Sequence, residues 1–241
     1  MWRLTAFLKR NSAMAGDDFL AFLTGTWAPA VCAAGSGSAS LKNIRIHLPL
    51  DLSGSPLESL FPPRFDALVE IAFEDFDSAV ASLVALDRDP EVPDLGDALD
   101  LSDGAAWLGE VLPKKPDDHG RTGTRMTVAG DVIDGMAEGE AQRYWGEVHP
   151  VVAQRAPETW ERLTLYRQVH GRRSSAIEEM SWLPRRYYPM CADMGAVSLE
   201  ELLAAYDNDQ YRAIVRPDEQ KFSKPEDMLT FVTREYREVM P

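Results

Sequence analysis

The sequence predicts an α+β fold in which a βαββαβ unit occurs twice in one chain. The length is 241 residues, with 45% apolar and 27% charged side chains, as is ordinary for a globular protein. Alternating apolar runs and helical stripes follow the order strand–helix–strand–strand–helix–strand, and this order restarts after about 122 residues. A βαββαβ unit is the ferredoxin-like motif, whose helices cover one face of a four-stranded antiparallel sheet. The bare face needs a partner, so we expect the two repeats to pack sheet to sheet as an intrachain pseudo-dimer.

The first repeat is predicted to span residues 1–112. Its opening strand places Trp2, Leu4, Ala6 and Leu8 on one apolar face. The first helix starts at two aspartates, which favour the positive end of the helix dipole. The predicted elements are strand Trp2–Lys9, helix Asp17–Trp27, strands Leu41–Leu50 and Phe65–Phe73, helix Asp75–Leu86, and strand Ala106–Leu112.

The second repeat is predicted to span residues 123–241, after a linker at 113–122 that is polar and rich in proline. Ser198 is a suitable N-cap for a helix with acidic residues in its first turn. The predicted elements are strand Arg125–Val132, helix Glu138–His149, strands Glu161–His170 and Arg185–Ala192, helix Leu199–Asp207, and strand Met228–Tyr236.

The helix before His149 organises the second repeat. Ala141, Tyr144, Trp145 and Val148 recur at helical spacing and form an apolar stripe. Pro150 disfavours the helical conformation for the residue before it, so the helix must kink or end at His149. An imidazole at such a break is fixed in place and reachable. The first repeat has a similar segment with Trp27 at this position, closed by Pro29.

Charge and cysteine content restrict the partners. A net charge of −14 repels nucleic acid and anionic lipid, so we expect neither as a partner. No apolar run reaches the roughly 18 residues of a membrane span, and the first ten residues do not resemble a signal peptide. Cys32 and Cys191 are then expected to be reduced and buried, and the expected location is the cytoplasm.

Motifs for metals, nucleotides and serine nucleophiles are missing from the sequence. It has no HxxxH, no CxxC and no carboxylate triad at ligand spacing, so we expect no metal. No GxGxxG follows a predicted strand, and GxSxG does not occur. We therefore expect no cofactor.

Several segments together resemble the EthD family of the dimeric α/β-barrel superfamily. They are the opening LTAFLKRNSAMAGDDFLAFLTGTWAPAV, the strand residues Phe65, Asp66, Glu70 and Phe73, the helix end YWGEVHPVV, the strand YRQVH, and FSKPEDMLTFVTRE. The family histidine matches His149 in the second repeat and is replaced by Trp27 in the first. Pro150 follows His149 directly, where the family has one residue between. Glu235 falls at the position of a family glutamate.

This resemblance implies a small, usually cofactor-free protein of a catabolic or polyketide-type pathway. Relatives in the superfamily include monooxygenases, isomerases, dehydratases and cyclases, and some bind haem. It implies a pocket between a sheet and its helices that holds an apolar, oxygenated and aromatic small molecule. A further homodimer is compatible with this family. A haem ligated by His149 is a minor alternative.

Candidate catalytic residues follow from chemistry. His149 can act as general acid or base near neutral pH. Tyr166 could donate to a substrate oxygen, and Asp193 or Glu235 could orient His149. Each also has a structural interpretation, as a packed aromatic or an ion-paired carboxylate. Four residues could line the pocket: Trp27, His47, Tyr144 and Trp145.

Two functions remain open. One is an enzyme that uses His149 for a dehydration, isomerisation or related lyase step, with monooxygenase chemistry less favoured. The other is a binding or accessory protein that keeps the barrel without chemistry. Loss of the histidine at Trp27 favours the second function, and its retention at His149 favours one active site per chain.

Overall fold

Strands and helices alternate along the chain in the order that the sequence predicts. The computed structural model describes residues 1–35, 40–53, 58, 61, 64–117, 120–224, 227–234 and 236–240. In the first half the elements are β1 (Trp2–Leu8), α1 (Gly16–Phe22), α2 (Ala28–Gly35), β2 (Leu41–His47), β3 (Ala67–Phe73), α3 (Phe76–Asp87) and β4 (Ala105–Lys115). They continue with β5 (Thr124–Gly130), α4 (Glu138–Glu147), α5 (His149–Ala153), α6 (Pro157–Trp160), β6 (Leu163–Arg172), α7 (Ser175–Glu178), β7 (Met190–Ala196), α8 (Leu199–Tyr206), α9 (Arg216–Glu219), β8 (Leu229–Thr233) and β9 (Tyr236–Val239).

The chain forms two units, and unit 1 consists of Met1–Glu110, Gly171–Tyr187 and Glu235–Pro241. Its strands pair antiparallel in the order β4-β1-β3-β2, with β9 added beside β2. The core packs one face of these strands, including Leu4 and Ile44, against helix residues such as Phe19 and Leu83. Ile177, Met180, Trp182 and Leu183 of the segment 171–187 complete this core.

Unit 2 consists of Val111–His170 and Tyr188–Arg234. Its strand order is β8-β5-β7-β6, again antiparallel. By position in its repeat, each sheet therefore has the order fourth, first, third, second, which is that of the ferredoxin-like motif. The α+β fold with two ferredoxin-like repeats is confirmed.

The repeats also share polar residues at matching strand positions. Each has a threonine on its first strand, a carboxylate opposite on its third, and an arginine opposite on its second. These are Thr5, Glu70 and Arg45 in unit 1, and Thr127, Asp193 and Arg167 in unit 2. The two sheets therefore carry the same polar residue types at matching strand positions. The side chains of β1 are buried on both faces of the sheet, and not only on the apolar face. Thr5 and Arg3, which lie on the polar face, are therefore enclosed as well.

Two helices widen into a π-turn ahead of a proline. The first helix continues past Pro29 to Gly35, so the expectation that it ends near Trp27 is wrong. It passes through a wide π-turn, Leu23–Trp27, two residues ahead of the proline. Proline has no N–H for the carbonyl four residues earlier, and a widened turn accommodates the loss. A second π-turn, Tyr211–Val215, precedes Pro217 in the same way.

Three other expectations need correction. The strand expected at Arg185–Ala192 lies at Met190–Ala196, because Pro184 and Pro189 interrupt the earlier residues while the small residues Cys191–Ala196 pair regularly. The final strand divides into β8 and β9, and β9 pairs with β2. Strand β4 extends through Lys115, into the segment predicted to be a linker. Within the described part of the chain, every helix is too short or too polar to cross a bilayer.

Candidate functional site

His149 lies at a break between two helices of unit 2, as predicted. Helix α4 ends at Glu147, and α5 begins at His149 with Pro150 in its first turn. Val148 forms the turn between them, and its N–H still bonds to the carbonyl oxygen of Tyr144 at 2.8 Å. Proline is favourable there because the first N–H groups of a helix have no intrahelical partner. The break turns the side chain of His149 inward, and only 5% of the residue is exposed.

Asp218 is the carboxylate that binds His149. It lies on α9, immediately after the second π-turn, and is 2% exposed. Its Oδ2 atom is 2.9 Å from Nδ1 of His149. Its Oδ1 atom accepts hydrogen bonds from the Tyr144 hydroxyl at 2.6 Å and from Nζ of Lys221 at 2.9 Å. Four polar side chains from two parts of the sequence thus form one connected network.

The network keeps Asp218 ionised. Burial opposes its ionisation, but hydrogen bonds from Tyr144, Lys221 and His149 outweigh burial and hold its pKa below the usual value. Burial lowers the pKa of His149, and the bond to Asp218 only partly compensates. At neutral pH the imidazole is therefore neutral and faces an ionised carboxylate.

This pairing determines the tautomer of His149. An ionised carboxylate only accepts hydrogen bonds, so Nδ1 of His149 must carry the proton. The lone pair of the neutral ring is then on Nε2, which has no hydrogen-bond partner among the described residues. A neutral imidazole held in this way can take a proton at Nε2, and the resulting cation is stabilised by Asp218.

Aromatic rings surround the network. The ring of Phe222 meets His149 edge to face, with centroids 5.2 Å apart. Phe222 also packs against Tyr144 and Trp145, and Trp145 stacks on His170 at 4.9 Å. These rings belong to an apolar cluster beside β7, which includes Met190. Of the predicted pocket residues, Tyr144 therefore shares Asp218 with His149, and Trp145 packs on Phe222.

Tyr166 and Asp193 do not contact His149. The Tyr166 hydroxyl accepts a hydrogen bond from Gln168 at 2.9 Å, and burial raises its pKa, so it stays protonated. Asp193 accepts hydrogen bonds from Thr127 at 3.0 Å and Arg167 at 3.1 Å. The expectation that Asp193 orients His149 is corrected, because the register of β7 directs that carboxylate toward β5 and β6. Glu235 lies outside the described residues.

Trp27 and His47 belong to unit 1. Trp27 is in the core, with its ring 5.9 Å from that of Trp182. Nε2 of His47 lies 3.1 Å from Oε2 of Glu70, which also pairs with Arg3. Both side chains are buried, and neither is part of the network around His149.

Sequence reasoning did not assign Asp218, Lys221 and Phe222 to the site. A signal was available, because Tyr211, Val215 and Asp218 are spaced as one helical face. Pro217 obscures this signal, since a proline inside a helical pattern indicates the end of a helix. In the structure, the π-turn allows the helix to continue through Pro217, so that Asp218 stays on the same face as Tyr211 and Val215. Among the described residues, no group of three metal-ligating side chains is positioned to hold an ion.

Comparison with known proteins shows the fold of this chain. No protein-family model matches the sequence, and no curated protein matches it. A solved anthrone oxidase-like protein superposes with a TM-score of 0.60 at 11% identity, over 98% of this chain and 92% of that chain. A provisionally assigned monooxygenase from Lactobacillus acidophilus NCFM superposes with a TM-score of 0.51 at 9% identity, over 99% of this chain and 95% of that chain. A chlorite dismutase variant from Candidatus Nitrospira defluvii superposes with a TM-score of 0.50 at 9% identity, over 97% of this chain and 91% of that chain. These are dimeric α/β-barrel proteins, and this chain has that class of fold.

Proposed function

We propose that the protein is a cofactor-independent enzyme in which His149, held by Asp218, removes a proton from an apolar, oxygenated aromatic molecule. The observation that carries the proposal is the pairing of Nδ1 with a buried, ionised carboxylate while Nε2 has no partner among the described residues. A neutral imidazole oriented by a carboxylate is the usual arrangement of a general base.

The reaction begins with transfer of a C–H or O–H proton to Nε2 of His149. The electron pair stays on the substrate as an enolate or phenolate, and Asp218 stabilises the imidazolium. Return of the proton to another substrate atom completes an isomerisation. In a dehydration, the hydroxyl group on a neighbouring carbon takes the proton from Nε2 and leaves as water, which regenerates the neutral imidazole. Tyr144 and Lys221 act on the carboxylate, and so are positioning residues.

The aromatic neighbours support the proposed substrate class. Phe222 packs against the imidazole of His149 and Trp145 packs against Phe222, and flat apolar ligands suit such surroundings. The likeness to an anthrone oxidase-like protein is compatible with a polycyclic substrate that has an acidic C–H group. Membership of the EthD family is part of this proposal. Cys32 and Cys191 are buried and form no disulfide, which is compatible with a reducing compartment such as the cytoplasm.

A binding protein without chemistry is the second candidate. It is favoured by the low exposure of His149, which is 5%, and by Trp27 in place of histidine in the first repeat. Haem ligation by His149 fits the geometry less well. Phe222 meets the imidazole edge to face at 5.2 Å, and a macrocycle needs open space next to the ligating nitrogen.

The proposal is tested with anthrone as probe, because its methylene protons are acidic. In deuterated buffer without oxygen, NMR measures exchange of these protons with and without the protein. We expect the wild type to accelerate exchange and His149→Gln to reduce the acceleration by about 10²-fold or more. His170→Gln is the matched control, since His170 is the other histidine among the described residues of this unit and does not contact Asp218.

Equal exchange rates in wild type and His149→Gln would overturn the general-base role. Saturable binding of anthrone to both variants without exchange would establish the binding-protein alternative. Mass spectrometry of the purified protein for a retained small molecule then identifies what it carries.

A further inference from the structure

A cleft rich in arginine lies in unit 1, apart from the residues around His149. Its volume is about 460 Å³, and it lies between the turn at 101–104 and the segment 181–186. Its polar lining consists of Arg64, Ser102, Asp103, Ser181, Arg185 and Arg186. Neither the fold nor the proposed proton transfer explains this composition.

The charge of the cleft is opposite to that of the protein. Three guanidinium groups and one carboxylate give the lining a formal charge of +2, whereas the chain carries −14. In a chain with 25 basic and 39 acidic residues, three arginines around one concave surface form a local positive site. Such a site attracts anions that the rest of the surface repels.

Arg64 and Arg185 keep unused donors. Arg64 donates from Nε and Nη2 to Oδ1 of Asp103 at 3.2 and 2.8 Å, and its guanidinium lies over the ring of Phe65. Arg185 donates one N–H to the carbonyl oxygen of Glu178 at 3.0 Å. A guanidinium has five N–H donors, so each of these two retains several beyond these hydrogen bonds. The contacts fix Arg64 and Arg185 without saturating their donors.

We propose that this cleft binds a small dianion that presents phosphate or carboxylate oxygens. The guanidinium groups of Arg185 and Arg186 supply the charge, because a planar fork of donors matches both anions. Ser102 and Ser181 supply hydroxyl donors. Asp103 opposes binding, because it competes for Arg64 and repels the ligand. The site is independent of the proposed proton transfer.

Two probes distinguish the sources of the anion. Inorganic phosphate represents a phosphate group, and malonate represents a dicarboxylate. Isothermal titration calorimetry at low ionic strength measures affinity, and amide NMR shifts at residues 102–104 locate the binding. We expect saturable binding of at least one probe, which weakens as sodium chloride is added because salt screens exposed charges.

Substitutions test the roles of the residues. Arg185→Gln and Arg186→Gln should each weaken binding about tenfold, the range of one charge-assisted hydrogen bond. Asp103→Asn should tighten binding severalfold, since it frees Arg64 and removes a negative charge. Arg173→Gln is the control, because Arg173 is an exposed arginine of the same segment that pairs with Glu178 outside the cleft.

Several results would overturn the proposal. They are no saturation by either probe at low salt, weaker binding in Asp103→Asn, or equal losses in Arg173→Gln and Arg185→Gln. Arg173, Arg185 and Arg186 are exposed and Asp103 is partly exposed, so the variants should fold, and an unchanged melting temperature verifies this.

Discussion

Asp218 binds Nδ1 of His149 at 2.9 Å although 69 residues separate the two in sequence. His149 comes from a helix broken ahead of a proline, and Asp218 from a short helix that follows a π-turn ahead of another proline. Irregular helical turns are frequent at functional sites because they redirect side chains that a regular helix would place elsewhere. Here two such irregularities converge on one imidazole.

Asp218→Asn tests whether the carboxylate determines the tautomer of His149. The amide of asparagine can donate to Nδ1, and the ring proton then moves to Nε2, where the proposed base needs a lone pair. We expect long-range ¹⁵N–¹H NMR to show protonated Nδ1 in the wild type and protonated Nε2 in the variant. Exchange of anthrone protons should fall by about 10²-fold or more.

Lys221→Gln is the comparison for this experiment, since it leaves the Asp218 carboxylate in place. The same tautomer in Asp218→Asn and in the wild type would mean that the carboxylate does not determine it. Lys221→Gln should keep the wild-type tautomer.

Much of the fold follows from the sequence because alternation and helical spacing are local signals. β1 and β3 carry strong alternating or β-branched patterns, and they lie close to where these patterns predict. β7 was misplaced because Ala192, Asp193 and Gly195 have weak strand propensity, and neighbouring strands decide its position. The pairing of β9 with β2 depends on contacts between chain ends that no local pattern contains.

The site was only partly predictable for a related reason. His149 and Tyr144 could be identified from one helical stripe and one proline. The partner of His149 could not be identified in this way, because Asp193 and Asp218 are both carboxylates far away in sequence. Only the tertiary structure shows which of the two reaches the imidazole. Register directs Asp193 to Arg167, and a π-turn directs Asp218 to His149.

The pH dependence of stability should depend on His170. Burial, assisted by the charge of Lys114, lowers the pKa of His170 to about 4. Below about pH 6.5 the unfolded chain takes up a proton there and the folded state does not, so stability falls until about pH 4. The resulting loss in the free energy of unfolding is at most about 3 kcal/mol. Urea unfolding between pH 7 and 4 should show a smaller loss for His170→Gln than for the wild type, and parallel curves would contradict this assignment.

The pH dependence of stability that Glu219 contributes should have the opposite sign to that of His170. Burial raises its pKa to about 7, although the hydrogen bond from the Tyr211 hydroxyl favours ionisation. Between about pH 4.5 and 7 the unfolded carboxyl is ionised while the folded one stays protonated. Stability therefore falls as pH rises through this range and is lowest, for this group, above pH 7. Glu219→Gln should be more stable than the wild type at pH 8, by up to about 3 kcal/mol, and nearly equal at pH 4.5. Glu161→Gln, which changes an exposed carboxyl in the same way, is the control.

Arg167 and Asp193 form an enclosed ion pair whose energy a double-mutant cycle can measure. Their side chains are 13% and 5% exposed, and the bond length is 3.1 Å. Asp193→Asn alone should destabilise the protein by about 3 kcal/mol, because it leaves Arg167 without its counter-charge. Adding Arg167→Met should recover part of this loss, since the second change removes the uncompensated charge. Additive losses would show that the pair makes no specific contribution.

Trp27→His tests the asymmetry between the repeats. Trp27 is 2% exposed and packs against Trp182, which comes from the segment 171–187, so a smaller ring leaves unfilled space. We expect a loss of about 2–4 kcal/mol in the free energy of unfolding, within the range for truncating large core aromatics.

The substitution Trp27→His should not create a second active site. The carboxylates beside Trp27 are those of Asp87 and Asp94, which are exposed at the edge of a cleft of about 100 Å³, unlike the buried Asp218. A titration with anthrone should therefore give the same number of sites in the variant and the wild type. A second site with proton exchange in the variant would show that histidine alone is sufficient, and that Asp218 is dispensable for the chemistry.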